Sequence, residues 1–139
     1  MHAPDAGFEI LEHTADVGVR GWGPTCEEAF RQCTLGLLDI IGAWHPGTGD
    51  REAIEVSGRD RAAVLVDWLG EILYLQDSRD VVVSDLGVDE VTEQGASGWV
   101  ELSERPLEIE GTAVKAITYH QLDVTHSGER WETTVYLDI

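Results

Sequence analysis

Thr25 and Asp60 each head a stretch in which apolar residues recur every three or four positions, and these two stretches constrain the fold more than anything else in the chain. After Thr25 come Cys26, Phe30, Cys33, Leu37 and Ile41, which share one face of a helix. Thr25 with Glu28 three residues on makes a capping box, and Gly42 supplies a stop, so the spacing predicts a helix to about Ile41. After Asp60, which suits an N-cap, come Val64, Trp68, Ile72 and Leu75, with Leu65 and Leu69 widening the stripe; they predict a second helix to about Leu75. Both helices must lay these stripes on another layer.

The rest of the chain supplies that layer as strands. Phe8–Glu12 and Val17–Trp22 read as two short strands joined by the polar connection His13-Thr14-Ala15-Asp16. A loop rich in Gly, Pro and His follows Gly42 and leads to a strand around Ala53–Ser57. From Val81 the pattern turns to strands at Val81–Val83, Gly98–Ser103, Val114–Val124 and Trp131–Leu137, with Ser127-Gly128-Glu129 as the last hairpin's turn. No repeat, linker or low-complexity tract interrupts them. The expected architecture is α+β: a single compact domain over residues 1–139, with two helices packed on a largely antiparallel β-sheet.

Charge narrows the function. Nine basic residues against 27 acidic ones leave a net charge of −18. Tight nucleic-acid binding needs several Lys or Arg to displace counterions, so this chain is not expected to grip RNA or DNA by itself. The same field favours a basic protein partner or bound cations. A purely solvating acidic surface, as in adaptation to high salt, is the other reading, and the sequence leaves both open. No apolar run reaches the length of a membrane span, and Met-His-Ala-Pro-Asp has no signal-peptide character, so a cytoplasmic location is expected. Cys26 and Cys33, seven apart along one helix, rise about 10 Å and are too distant for a disulfide. Buried free thiols are expected, neither of them a nucleophile.

Several blocks together resemble a known family. Glu12-His13-Thr14-Ala15-Asp16-Val17-Gly18 and Thr25-Cys26-Glu27-Glu28-Ala29-Phe30 resemble the opening of the archease family. Leu65-Val66-Asp67-Trp68-Leu69-Gly70-Glu71-Ile72-Leu73-Tyr74 is similar to its central helix, departing at Gly70, where the family pattern has Asn. Val114-Lys115-Ala116-Ile117-Thr118-Tyr119-His120 and Asp138-Ile139 are similar to its last two motifs. The five blocks occur in family order over nearly the whole chain. The resemblance implies an accessory protein, not an enzyme, that activates the GTP-dependent ligase joining 3′-phosphate RNA ends to 5′-hydroxyls. It implies that the chain promotes guanylylation and multiple turnover of that ligase in tRNA splicing and RNA repair, meeting RNA only through it. It also implies an acidic metal site at Asp16, Asp138 and the carboxylate of Ile139, and a functional role for Lys115.

The chemistry of these residues fits that expectation. A hard divalent cation such as Ca²⁺ or Mg²⁺ takes several oxygen ligands, preferably anionic. Asp138 and the terminal Ile139 offer two on adjacent residues, and Asp16 adds a third if the first and last strands are neighbours; as a loop residue it equally suits capping backbone amides. Lys115 is the one lysine beside eight arginines, on a segment that alternates as a strand does. It suits charge stabilisation during guanylyl transfer, or a structural ion pair with nearby carboxylates. His13, three residues before Asp16, is placed to orient a carboxylate or a bound water. His120 alternates with Thr118 and Leu122 and reads as a sheet residue; no histidine spacing supports a transition-metal site. Trp22, Trp68 and Trp131 read as core. There is no nucleophile motif, phosphate-binding glycine loop or cysteine zinc cluster. Two other functions stay open: an acidic chaperone-like scaffold for basic clients, and a metal-dependent phosphohydrolase built on the same carboxylates.

Overall fold

A computed structural model describes residues 5–12, 16–42 and 49–139. In chain order the elements are β1 (Gly7–Glu12), β2 (Asp16–Gly23), α1 (Cys26–Ile41), β3 (Asp50–Ser57), α2 (Arg61–Arg79), β4 (Val81–Thr92), β5 (Gly95–Glu104), β6 (Ala116–Ser127) and β7 (Arg130–Asp138). The strands form two sheets, β1-β2-β7-β6 and β3-β5-β4, in which all pairings are antiparallel. Helix α1 packs on β1, β2, β7 and β4, while α2 packs on β6 and on β3, β4 and β5, so each helix touches both sheets. The fold is α+β, with two helices on antiparallel strands; its sheet is divided in two.

Both helices begin where their capping residues direct. The Thr25 hydroxyl accepts from the Glu28 N–H at 3.0 Å, and the chain leaves α1 through a left-handed Gly42. Asp60 caps α2 by accepting from the Ala63 N–H at 2.8 Å. The two apolar stripes meet in the core: Phe30, Cys33, Leu37, Val64, Trp68 and Ile72 have no solvent exposure. Its polar atoms are satisfied, since the Trp68 indole N–H donates to Thr34 Oγ1 at 3.0 Å and the Thr34 hydroxyl donates to the Phe30 carbonyl at 2.8 Å.

Helix α1 lies so close over β2 that Gly21 has no room for a side chain. A Cβ there would sit 2.6 Å from Cys33 N and 2.8 Å from Ala29 O, both backbone atoms that cannot swing aside. Gly21→Ala is therefore expected to lower stability by about 1–3 kcal/mol, read by urea unfolding. Gly70, on α2, is the opposite case, with nothing within 4 Å of its missing Cβ. Gly70→Ala should raise stability by roughly 0.5–1 kcal/mol in the same assay, because only the backbone entropy of a helical glycine is removed.

Several boundaries differ from the sequence expectation, Asp16 among them as the first residue of β2 instead of part of the connection before it. Helix α2 runs one turn past Leu75, because buried Gln76 accepts from the Val83 N–H at 2.9 Å and ties that turn to β4. Strand β3 starts at Asp50 instead of near Ala53; Arg51 lies 3.9 Å over the Trp99 ring and Glu52 binds Arg79, which orders the extra residues. Residues 81–104 form one long hairpin, β4–β5, where only its two ends were expected as strands. Lys115 was expected within a strand, yet β6 begins one residue later at Ala116. Ala116 pairs with Asp138, where β7 ends, so no partner strand remains for residues further upstream.

Candidate functional site

The first and last strands of the sequence-predicted site are neighbours. In the β2–β7 ladder Asp16 stands directly opposite Asp138, at the end of the register in which Val17 faces Leu137 and Val19 faces Val135. Directly opposed residues of an antiparallel pair project to the same side, and alternate residues to opposite sides. Val19, Val135 and Leu137 are wholly buried against the helices, so Asp16 and Asp138 share the outer face of the sheet at its edge. Asp138 and Ile139 are exposed, whereas Asp16 is partly covered and its Oδ1 is shielded from solvent. Like charges placed directly opposite are unfavourable, and a cation between them would offset that cost.

Lys115 is attached to this edge by its backbone: its N–H donates to the Asp138 carbonyl at 2.8 Å. Its side chain is exposed and makes no ion pair among the described residues, although six arginines do so elsewhere. The structural ion pair considered for Lys115 is thus not formed there. Lys115 lines a groove on the α2 side with Ala116 and Ile117. The structure therefore brings Asp16 and Asp138 into register and Lys115 within one backbone hydrogen bond of Asp138, its ammonium making no ion pair among the described residues. His13 lies outside the described residues, as do Thr14 and Ala15 of the same connection.

Sequence reasoning missed Tyr136 and Gly18, which form the surroundings of the two aspartates. Tyr136 shares the outer face with Asp138, and a Cβ on Gly18 opposite would lie 2.8 Å from its ring, so the glycine lets the ring lie across β2. His120 meets that ring edge-on at 5.7 Å, and the Thr118 hydroxyl donates to the Tyr136 carbonyl at 3.0 Å. The signal was available as spacing, since Tyr136 and Gly18 each lie two residues from an aspartate on a strand. His120 itself is exposed, in the stretch where the β6–β7 register breaks between Thr118 and Asp123.

Other residues occupy structural places. Cys26 and Cys33 are buried and unpaired. Burial pushes the Cys26 thiol to about 11 and the Cys33 thiol to about 12, so both stay protonated at neutral pH. Trp68 is core; Trp22 and Trp131 are half-buried, covered by Arg130 at 4.8 Å and Arg61 at 5.2 Å from the ring centres. Gly21 and Gly23 press against α1. Among the described residues no three His, Cys, Asp or Glu side chains converge on a metal position, and the expected set contains only two such side chains with a main-chain carboxylate. Among them, too, no helix is long and apolar enough to cross a membrane.

Comparison with known proteins gives one consistent result. Residues 8–139 match the Archease protein family. Protein archease of Methanosarcina barkeri is 32% identical, with 100% of each chain covered. Its counterpart in Pyrococcus furiosus is 34% identical over 95% of this chain and 98% of its own, and that of Thermococcus kodakarensis 39% identical over 84% and 87%. The solution structure of Methanobacterium thermoautotrophicum protein 1598 superposes with a TM-score of 0.78 at 25% identity, covering 96% of this chain and 99% of that one. The crystal structure of a Thermotoga maritima archease, described as a possible chaperone, shares the fold with a TM-score of 0.66 at 21% identity, covering 100% and 98%.

Proposed function

The chain belongs to the archease family, and we propose that it acts as a non-catalytic activator of a GTP-dependent RNA ligase, promoting guanylylation and repeated turnover of that enzyme in tRNA splicing and RNA repair. The observation that carries this reading is the pairing of Asp16 with Asp138 in a chain matching the family over residues 8–139. An all-oxygen, anionic donor set suits a hard cation, so Asp16, Asp138 and the carboxylate of Ile139 would hold Ca²⁺ or Mg²⁺. Such an ion, when bound, supplies positive charge against phosphate oxygens. Everything else is done by the protein. The register fixes the two aspartates on one face, Tyr136 and Thr118 lie beside them, and the Asp138 carbonyl holds the Lys115 backbone, whose side chain makes no ion pair among the described residues. A lysine ammonium attached to this edge is suited to stabilising charge that develops on a nucleotide phosphate in the ligase. His13 would orient a carboxylate or a water of the set. With a net charge of −18, contact with RNA would run through the ligase.

A chaperone-like scaffold is the second reading, favoured by the acidic surface and by the description of the Thermotoga maritima relative as a possible chaperone. The readings separate on Lys115. In a multiple-turnover ligation assay with the cognate ligase, GTP and Mg²⁺, Lys115→Ala should lose about 10²-fold in stimulation with an unchanged melting temperature, whereas Lys115→Arg should keep part of it. Full stimulation by Lys115→Ala, weakening steeply with salt, would support the scaffold instead.

A further inference from the structure

Resting on the activator reading, we propose that the groove between α2 and β3 is where an arginine-bearing segment of the ligase docks. The groove has a volume of about 680 Å³. One wall is a single face of α2, where Asp67, Gly70, Glu71, Tyr74 and Asp77 recur every three or four residues; residues 55–57 of β3 form the other wall. Lys115 also lines the groove, and its N–H bond to the Asp138 carbonyl links the groove to the Asp16–Asp138 edge.

Three independent observations point to a cationic occupant. First, none of the three α2 carboxylates Asp67, Glu71 and Asp77 is in an ion pair among the described residues, whereas six arginines pair with acids elsewhere on the surface. Asp67 and Glu71, four apart on the helix, also repel each other, and Arg79, which pairs with Glu52, acts on Glu71 only at longer range. Second, Tyr74 lines the groove and is 64% exposed, an aromatic ring of the kind that attracts a guanidinium. Third, Gly70 weakens the helix without any packing reason, since nothing lies within 4 Å of its missing Cβ. Its absent side chain leaves the helix backbone open to close approach by another chain. Carboxylates, an aromatic face and a bare stretch of backbone together match arginine, whose planar fork binds carboxylates in pairs and stacks on rings. Lys115 would repel a cation beside it, which orients the segment and leaves that ammonium for phosphate.

The test compares ligase binding by the full chain, Asp67→Asn/Glu71→Gln/Asp77→Asn and a control of equal charge change, Asp89→Asn/Glu108→Gln/Glu129→Gln. Dissociation constants and half-maximal stimulating concentrations are measured at two ionic strengths. The groove variant should bind about tenfold or more weakly with a flattened salt dependence, the control within about twofold of wild type, and Gly70→Ala should weaken binding while melting higher. Equal weakening by both triple variants, or by neither, overturns the groove assignment. If wild type neither binds nor stimulates the ligase, the activator reading fails and this assignment to the ligase falls with it. A fluorescent hexa-arginine peptide then judges the groove's chemistry alone: tighter binding to the control than to the groove variant upholds a cation-binding groove, and equal binding overturns it.

Discussion

Trp68→Ala is expected to be the most destabilising single change in this protein, costing about 3–5 kcal/mol. Trp68 has no solvent exposure, stands at the centre of the α2 stripe, and its ring edge would contact any Cβ placed on Gly98 of β5. Removing it opens a cavity between α2 and the three-stranded sheet that the surrounding Leu and Val side chains cannot close without moving a helix. For a domain of this length the loss corresponds to a melting temperature lower by roughly 10–20 °C. Trp68→Phe should cost less than half as much. It keeps most of the volume, and the lost indole donor leaves Thr34 still donating to the Phe30 carbonyl. Two small and equal effects would mean that Trp68 does not carry the core.

The second large effect reverses sign with the solvent. Asp16 and Asp138 are directly opposed like charges, so in chelated buffer Asp138→Asn should melt at or slightly above wild type. Adding Ca²⁺ at about 100 times its dissociation constant should raise wild-type stability by about 2.7 kcal/mol. The single variants Asp16→Asn and Asp138→Asn should bind at least about 10–100-fold more weakly, with the double variant showing no shift at all. The two melting curves therefore cross as the cation is added. Titration calorimetry gives the affinities directly, and a wild-type Ca²⁺ shift that survives in the double variant would remove these residues from the site.

The helices were legible because their evidence is local. A cap at Thr25 or Asp60, apolar spacing and a left-handed Gly42 all lie within one helix length and reinforce one another. The β2–β7 contact was not legible, since pairing Asp16 with Asp138 joins opposite ends of the chain and leaves no periodic trace; only the resemblance supplied it. Strand β4 was hidden for another reason. Register breaks between Val83 and Asp85 and between Val88 and Glu90 interrupt its alternation, so the acidic stretch after Val83, to which the sequence assigned no element, is a paired strand. Lys115 shows how one residue of register matters. Because β7 ends opposite Ala116, Lys115 keeps one backbone bond to Asp138 but lies outside the strand, where it lines the α2 groove. The environment of the aspartates, built by Tyr136, Gly18 and Thr118, needed only period-two spacing to be found once the strands were known.

Guanylylation of the cognate RNA ligase, followed with labelled GTP and Mg²⁺, should become faster and more complete when this protein is added. That gain should be lost with Asp138→Asn and with Lys115→Ala although both remain folded. Equal guanylylation with and without the wild-type chain would contradict the activator reading.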